Sequence, residues 1–211
     1  MSDSATPVPG LLAALELAAR LKDELRHSWT AAGRRESVAE HSYQMALMAV
    51  LLHPHLEHPV DLGRTLELVL VHDLVEAEAG DVVAFETGPA RAGKAAREQA
   101  AAEHLRALIP APGGERVYAA WHEFEAGQTG EARFARALDN LEVQLQHNWA
   151  PLATWEPVEY GMTYAKTGRG SEHDAFLRAF AQAVVTQGEA KLAAGGVDVA
   201  AARAGVAAVA Y

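Results

Sequence analysis

The run Val71-His72-Asp73-Leu74-Val75-Glu76-Ala77-Glu78-Ala79-Gly80-Asp81 places an imidazole and several carboxylates at helical spacing. On a helix Glu76 stands four residues beyond His72 and three beyond Asp73, so the three side chains share one face. Two carboxylates and an imidazole crowded there attract a cation. Gly80 then ends the helix and lets Asp81 turn back toward the same mouth. The plain alternative is an acidic, solvated helix end. Glu78 fits that alternative and Glu76 does not.

Working outward, two more ionisable residues lie on or next to apolar faces. His41 shares a helical face with Val38, Met45 and Met48, and Asp139 lies beside Leu138 and close to the Leu141/Leu145 stripe. Asp73 itself shares a face with Leu66, Val69 and Leu70. Such groups are expensive on apolar faces unless paired, hydrogen-bonded or metal-bound. Singly, each has an ordinary explanation as a satisfied core histidine or a salt-bridged aspartate. The informative feature is the set His41, His72, Asp73 and Asp139, spread over three predicted helices.

The rest of the chain reads as about six or seven helices with no convincing strand, an all-α fold. Leu11, Leu12, Leu15, Leu21 and Leu25 mark a first helix, followed by a polar loop with Gly33, Arg34 and Arg35. Ser37 and Glu40 form a capping box for a helix ending near Leu52, before Pro54. Asp61 caps the next helix, which runs to Gly80. Pro89 opens an alanine-rich helix that ends near Pro110, and Pro110-Ala111-Pro112-Gly113-Gly114 breaks the chain. One helix carries Val117, Trp121 and Phe124; a longer one covers about Glu131 to Asn148. A loop with Pro157, Gly161, Gly168 and Gly170 precedes a last long helix near 172–194. Residues 1–211 are read as one helical-bundle domain, with its core about 11–194 and a low-complexity Ala/Val/Gly tail at 195–211.

The 211 residues are half hydrophobic and 22% charged, a globular composition with net charge −10. That charge is repelled by a phosphate backbone, which argues against broad nucleic-acid binding. A small phosphorylated ligand stays open, because a metal ion and an arginine or two supply local positive charge. The chain has no cysteine. Any metal site must therefore use His, Asp and Glu, and thiolate chemistry is excluded. No secretory leader and no membrane span is read, so the expectation is a soluble cytoplasmic protein.

The spaced His, His-Asp and Asp residues resemble the HD superfamily of metal-dependent phosphohydrolases, and within it the 5′-deoxynucleotidases. The matching stretches are Glu36-Ser37-Val38-Ala39-Glu40-His41-Ser42, Val71 to Glu76 with Gly80-Asp81, and Trp121-His122-Glu123-Phe124-Glu125. Glu131-Ala132-Arg133-Phe134 and Ala137-Leu138-Asp139-Asn140-Leu141 complete the set, so the likeness covers roughly residues 20 to 150. It implies an HD-type helical bundle around one divalent metal, with His41, His72, Asp73 and Asp139 as ligands. Two nitrogens and two carboxylate oxygens suit Mn²⁺, Co²⁺, Fe²⁺ or Zn²⁺ and, less well, Mg²⁺. It also implies that Glu76 is the acid/base and that Asp81 orients water or substrate. Arg26 would hold the phosphate, and Glu123 would lie near the sugar or metal edge. Substrates would be (deoxy)nucleoside monophosphates, and the subgroup is typically a homodimer.

This sequence departs from the family in one respect: His27, where an aromatic residue often follows the arginine, with Trp29 two further on. Two other readings compete. One is a different HD chemistry, a cyclic-nucleotide or dinucleotide phosphodiesterase or a di-iron oxygenase, or a phosphohydrolase of another small substrate. The phosphodiesterases and the oxygenase usually need more histidines between the halves of the signature, where this chain has only His53, His55 and His58, around Pro54 and Pro59. The other is a non-catalytic helical protein that binds a nucleotide.

Overall fold

The computed structural model describes residues 6–83, 85–86 and 89–205. The chain forms α1 (Val8–Ala19), a hairpin of β1 (Leu25–Trp29) and β2 (Arg35–Ser37), α2 (Val38–Leu52) and α3 (Leu62–Val71). Short α4 (Glu76–Ala79) and α5 (Pro89–Ala92) lead to α6 (Lys94–Leu108), α7 (Gly113–Ala126) and the long α8 (Gly130–Trp149). The C-terminal layer is α9 (Pro157–Ala165), α10 (Ala175–Ala194) and α11 (Val199–Ala204). The fold is mostly helical, as expected.

Helix α8 is the axis of the bundle: α2, α3, α7 and α10 all pack on it. Its fully buried face holds Phe134, Ala135, Leu138 and Leu141, which meet Met45, Leu68, Val69 and Leu177 in the core. Caps set where the site helices begin. The Ser37 hydroxyl accepts from Glu40 N at 3.3 Å while the Glu40 carboxylate accepts from Ser37 N at 3.0 Å, the capping box the sequence predicts. The Asp61 carboxylate accepts from Arg64 N at 3.0 Å and starts α3.

Four expectations need correction. The polar stretch around Gly33 is the turn of an antiparallel hairpin with an irregular register. Gly33 takes φ 78°, and Thr30 N donates to Arg34 O at 2.7 Å to close it. The Arg35 guanidinium then donates to the carbonyls of Arg26 and Leu25, tying the strands by a side chain where the ladder slips. Second, Leu25 belongs to β1, and Leu11, Leu12 and Leu15 of α1 are exposed while Leu17 and Leu21 are buried. Third, the helix from Asp61 does not run unbroken to Gly80. It stops at Val71, and residues 72–75 form turns with three-residue hydrogen bonds, such as Glu76 N to Asp73 O at 3.0 Å. Fourth, the segment read as a loop before the last long helix contains α9, started by a Glu156/Glu159 capping box.

Candidate metal and active site

The first turn of α2, the turn after α3 and the middle of α8 meet at one place. His41 is fully buried, and its Nε2 lies 3.3 Å from Asp139 Oδ1 and 3.8 Å from Asp73 Oδ2. His72 Nε2 lies 3.1 Å from the same Asp73 oxygen. The other ring nitrogens are occupied: His41 Nδ1 meets Glu142 Oε2 at 2.5 Å, and His72 Nδ1 meets the Val69 carbonyl at 2.7 Å. Those contacts fix both rings with Nε2 turned inward. Donor atoms of His41, His72 and Asp73 lie within 4.8 Å of one another.

The donors fit a divalent cation. The Nε2 atoms of both histidines are buried and have no hydrogen-bond partner among the described residues, which is costly for an imidazole with nothing else to bind. Charge agrees. Burial and the nearby Arg26 pull His41 down, but Glu142 and Asp139 outweigh them and push it up to about 10. Burial raises Asp73, yet His72, His41 and Arg26 hold it at about 2. Asp139 is likewise held far below the ordinary carboxylate range, its burial outweighed by His41. The carboxylates around His41 favour a positive charge at its ring, and a metal ion supplies that charge in place of a proton.

A cavity of about 650 Å³ opens over this cluster. Glu76 lines it, buried, with Oε2 unpartnered among the described residues. Burial, then Asp73 and Asp81, push its carboxyl up to about 9. Gly80 makes this approach possible: with φ 75° it turns the chain so that Asp81, half-buried, lines the cavity, its backbone N donating to Glu24 Oε1 at 3.0 Å. Arg26 reaches in from β1, with Nη1 3.3 Å from Asp73 Oδ2 and Nε 3.5 Å from buried Glu36.

A family model described as HD domain matches residues 18–179. The chain belongs to the HD-domain phosphohydrolase family. It is 36% identical over 138 residues to the 5′-deoxynucleotidase HDDC2 of Xenopus laevis, covering 64% of this chain and 67% of that protein. The Homo sapiens protein of that name is 33% identical over 138 residues, covering 64% and 66%. The aligned region therefore spans about two thirds of these relatives' length. A crystal structure from Magnetospirillum magnetotacticum, described as a predicted metal-dependent phosphohydrolase, superposes with a TM-score of 0.72 at 30% identity, covering 88% of this chain and 94% of that one.

The HD-domain frame thus brings His72, Asp73, Asp139, Glu76, Asp81 and Arg26 to one cavity, with His41 buried against Asp73 and Asp139. Glu123 is not brought there. Its carboxylate is taken by Arg64 at 2.6 Å and by the Thr129 hydroxyl at 2.7 Å, on the outer side of α7. Glu125, two residues on, lines the cavity instead. At the His27 position the aromatic surface comes from elsewhere: Phe85 stands edge-on to the His27 ring at 5.2 Å, and both line the cavity. Trp29 is held outside it, its carbonyl accepting from Gln146 Nε2 at 3.0 Å.

Sequence reasoning missed Glu36 and Glu142, the buried carboxylates beneath His41. Glu142 had a signal, since it falls three residues after Asp139 and one after Leu141 on an apolar stripe. Glu36 is pushed up to about 7, by burial first and then by Glu142. Lys94, Lys166, His147 and Glu159 also line the cavity and were not foreseen.

Proposed function

We propose that this HD-domain protein removes the 5′-phosphate from (deoxy)nucleoside monophosphates, giving a nucleoside and inorganic phosphate. One observation carries the reading: an arginine, a buried carboxylic acid and the His72, Asp73 and Asp139 side of a two-histidine, two-aspartate cluster line one nucleotide-sized cavity. The names of the curated relatives support the substrate class.

In this reading His41, His72, Asp73 and Asp139 hold one divalent ion. That ion supplies positive charge against the phosphate and acidifies the attacking water. Arg26 offers its fork to phosphate oxygens, with Asp73 orienting it. Asp81 orients the water from the rim. Glu76 moves the proton: a divalent ion beside it would lower the carboxyl that burial, Asp73 and Asp81 push up to about 9, so that its unpartnered Oε2 can take a proton from the attacking water and pass it to the leaving alkoxide. Burial of Glu76 keeps bulk water from exchanging that proton. The same reading includes a homodimer, supported by exposed Tyr43, Leu47, Val50 and Leu51 along α2, and its mass in solution is the check.

The test is a screen of nucleoside monophosphates, triphosphates, DNA and cyclic dinucleotides with Mn²⁺, Co²⁺, Zn²⁺ and Mg²⁺. Phosphate release from 5′-monophosphates, lost on chelation and restored by metal, is the expected result. Preferential cleavage of cyclic dinucleotides, or two tightly held metals per chain, would replace this reading with a phosphodiesterase one.

A further inference from the structure

The cavity is far richer in cations than the chain around it. The protein has 18 lysines and arginines in 211 residues and a net charge of −10. Yet Arg26, Arg91, Lys94, Arg136, Lys166 and Arg169 all line this one cavity. Most have partners within the protein. Arg26 pairs with Asp73 at 3.3 Å, and Lys94 with Glu98 at 3.2 Å. Arg136 donates to the Glu125 carbonyl at 2.6 Å, and Arg169 Nε to the Ala165 carbonyl at 3.1 Å. Arg91 is engaged as well.

Lys166 is different. It caps the C-terminal end of α9, where its backbone is fixed on both sides: Lys166 N donates to Met162 O at 2.9 Å, and Lys166 O accepts from Arg169 N at 2.9 Å. Its side chain is half-buried in the cavity wall and forms no ion pair or hydrogen bond with any described residue. The charged groups it faces are Asp139, which attracts it, and Arg26, Lys94 and Arg169, which repel it. Burial and those three cations together hold its ammonium below the ordinary lysine range. A half-buried charge without a partner, set among like charges, is unfavourable in the isolated protein. Its place beside Asp139, among cations from β1, α6 and the segment after α9, is favourable once a multiply charged anion enters.

We infer that Lys166 is a phosphate-binding residue that, together with Arg26, takes the non-bridging oxygens of a phosphate dianion seated over Asp139. The inference rests on the phosphatase reading for the position of the phosphate. It adds a contact from the C-terminal layer, a part of the chain to which no motif gave a role. A charge from this side also helps offset the seven carboxylates that line the same cavity, Asp73, Glu76 and Asp139 among them, when a dianion enters.

The probe is inorganic phosphate, titrated calorimetrically into the metal-loaded protein, with metal content measured in each preparation. Lys166→Gln should weaken phosphate binding by about 10-fold or more, the loss typical of a hydrogen bond to a charged group. Its metal content should not change, and KM for a nucleoside monophosphate should rise more than kcat falls. Lys166→Arg should recover most of the affinity, and Lys166→Met, which keeps the apolar stem, should not. If Lys166→Gln folds poorly, the Arg and Met pair decides the matter. Wild-type phosphate affinity in both Lys166→Gln and Lys166→Met overturns the assignment. If the wild type hydrolyses no nucleoside monophosphate but Lys166→Gln still weakens phosphate binding, the residue's role stands and the substrate reading falls.

Discussion

The two buried imidazoles of the site, His41 and His72, both turn Nε2 toward Asp73, but their Nδ1 atoms meet different supports. His41 leans on the Glu142 carboxylate, in a cluster with Glu36 where nothing is exposed to solvent beyond a few per cent. His72 leans on the Val69 carbonyl, one turn back along its own chain, with the Phe124 ring 4.7 Å from its own. A carboxylate makes its histidine more basic and more electron-rich, and a single substitution can remove it. A carbonyl belongs to the backbone, so only the ending of α3 can move it. One histidine is tuned by charge and the other is placed by the helix terminus.

The largest effect should come where the two arrangements meet. Asp73 Oδ2 lies within 3.8 Å of both Nε2 atoms and also pairs with Arg26. Asp73→Ala should lose the metal and with it all measurable turnover, because a ligand is gone and the neighbouring charges are left unpaired. Glu76→Ala makes the contrast. It should keep its metal and lose turnover by about 10² to 10⁴, the usual share of general acid/base assistance. Metal analysis and kinetics on both variants check this pair. A Glu76→Ala protein with near-normal turnover would pass the acid/base role to Asp81.

A smaller effect separates the two supports directly. Glu142→Gln keeps the shape beneath His41 and removes the charge. Metal affinity should fall by roughly 10- to 100-fold, the range found when a ligand's outer partner is changed. Val69→Ala alters the side chain and leaves its carbonyl in place, so it should lower stability through lost packing and leave metal affinity near wild type. Competition titration with a metal-binding dye would measure both. Equal losses in the two variants would mean that packing, and not charge, sets the ligand's strength.

The same contrast shows what could be read before the structure was known. The gathering of His41, His72, Asp73, Asp139 and Glu76 was legible because each sits in a local pattern: a capping box four residues before His41, a histidine–aspartate pair with a glycine turn behind it, an aspartate on a leucine stripe. The helix ends at Ser37 and Asp61 followed from their caps. The hairpin did not, since its register depends on Arg35 reaching back to the carbonyls of β1. Nor did the break after Val71, because the i+3 and i+4 spacing of Glu76 is met by tight turns as well as by a regular helix. Glu123 misled because an acidic residue near the motif need not face the site; here Arg64 claims it from another helix. Glu159 and Lys166 are single residues without spacing, and only packing brings them to the cavity.

His147, at the far side of the cavity, combines both kinds of support, and this gives the smallest and last prediction. Its Nδ1 meets the Val143 carbonyl at 2.7 Å and its Nε2 meets Glu159 Oε1 at 2.8 Å, while His27 Nε2 approaches that same oxygen at 3.4 Å. Burial raises Glu159, but its bonds to His147 and His27 outweigh it and hold the carboxyl at about 2. A carboxylate lowered from 4.5 to about 2 stabilises the fold fully above pH 4.5, and that contribution is lost as pH falls through 2. His27 is raised by the Glu159 hydrogen bond, so its share is present below pH 6.5 and fades as pH climbs past its folded value. Wild type should therefore exceed Glu159→Gln in stability most between about pH 5 and 6, by on the order of 2 kcal/mol. The gap should close toward pH 2 and narrow above neutrality, with the two proteins matched in metal content at each pH. Urea midpoints measured from pH 2 to 8 for both proteins test this. Parallel curves would show that Glu159 acts as a neutral cap for α9, and that charge does not join these histidines as it joins His41 to Glu142.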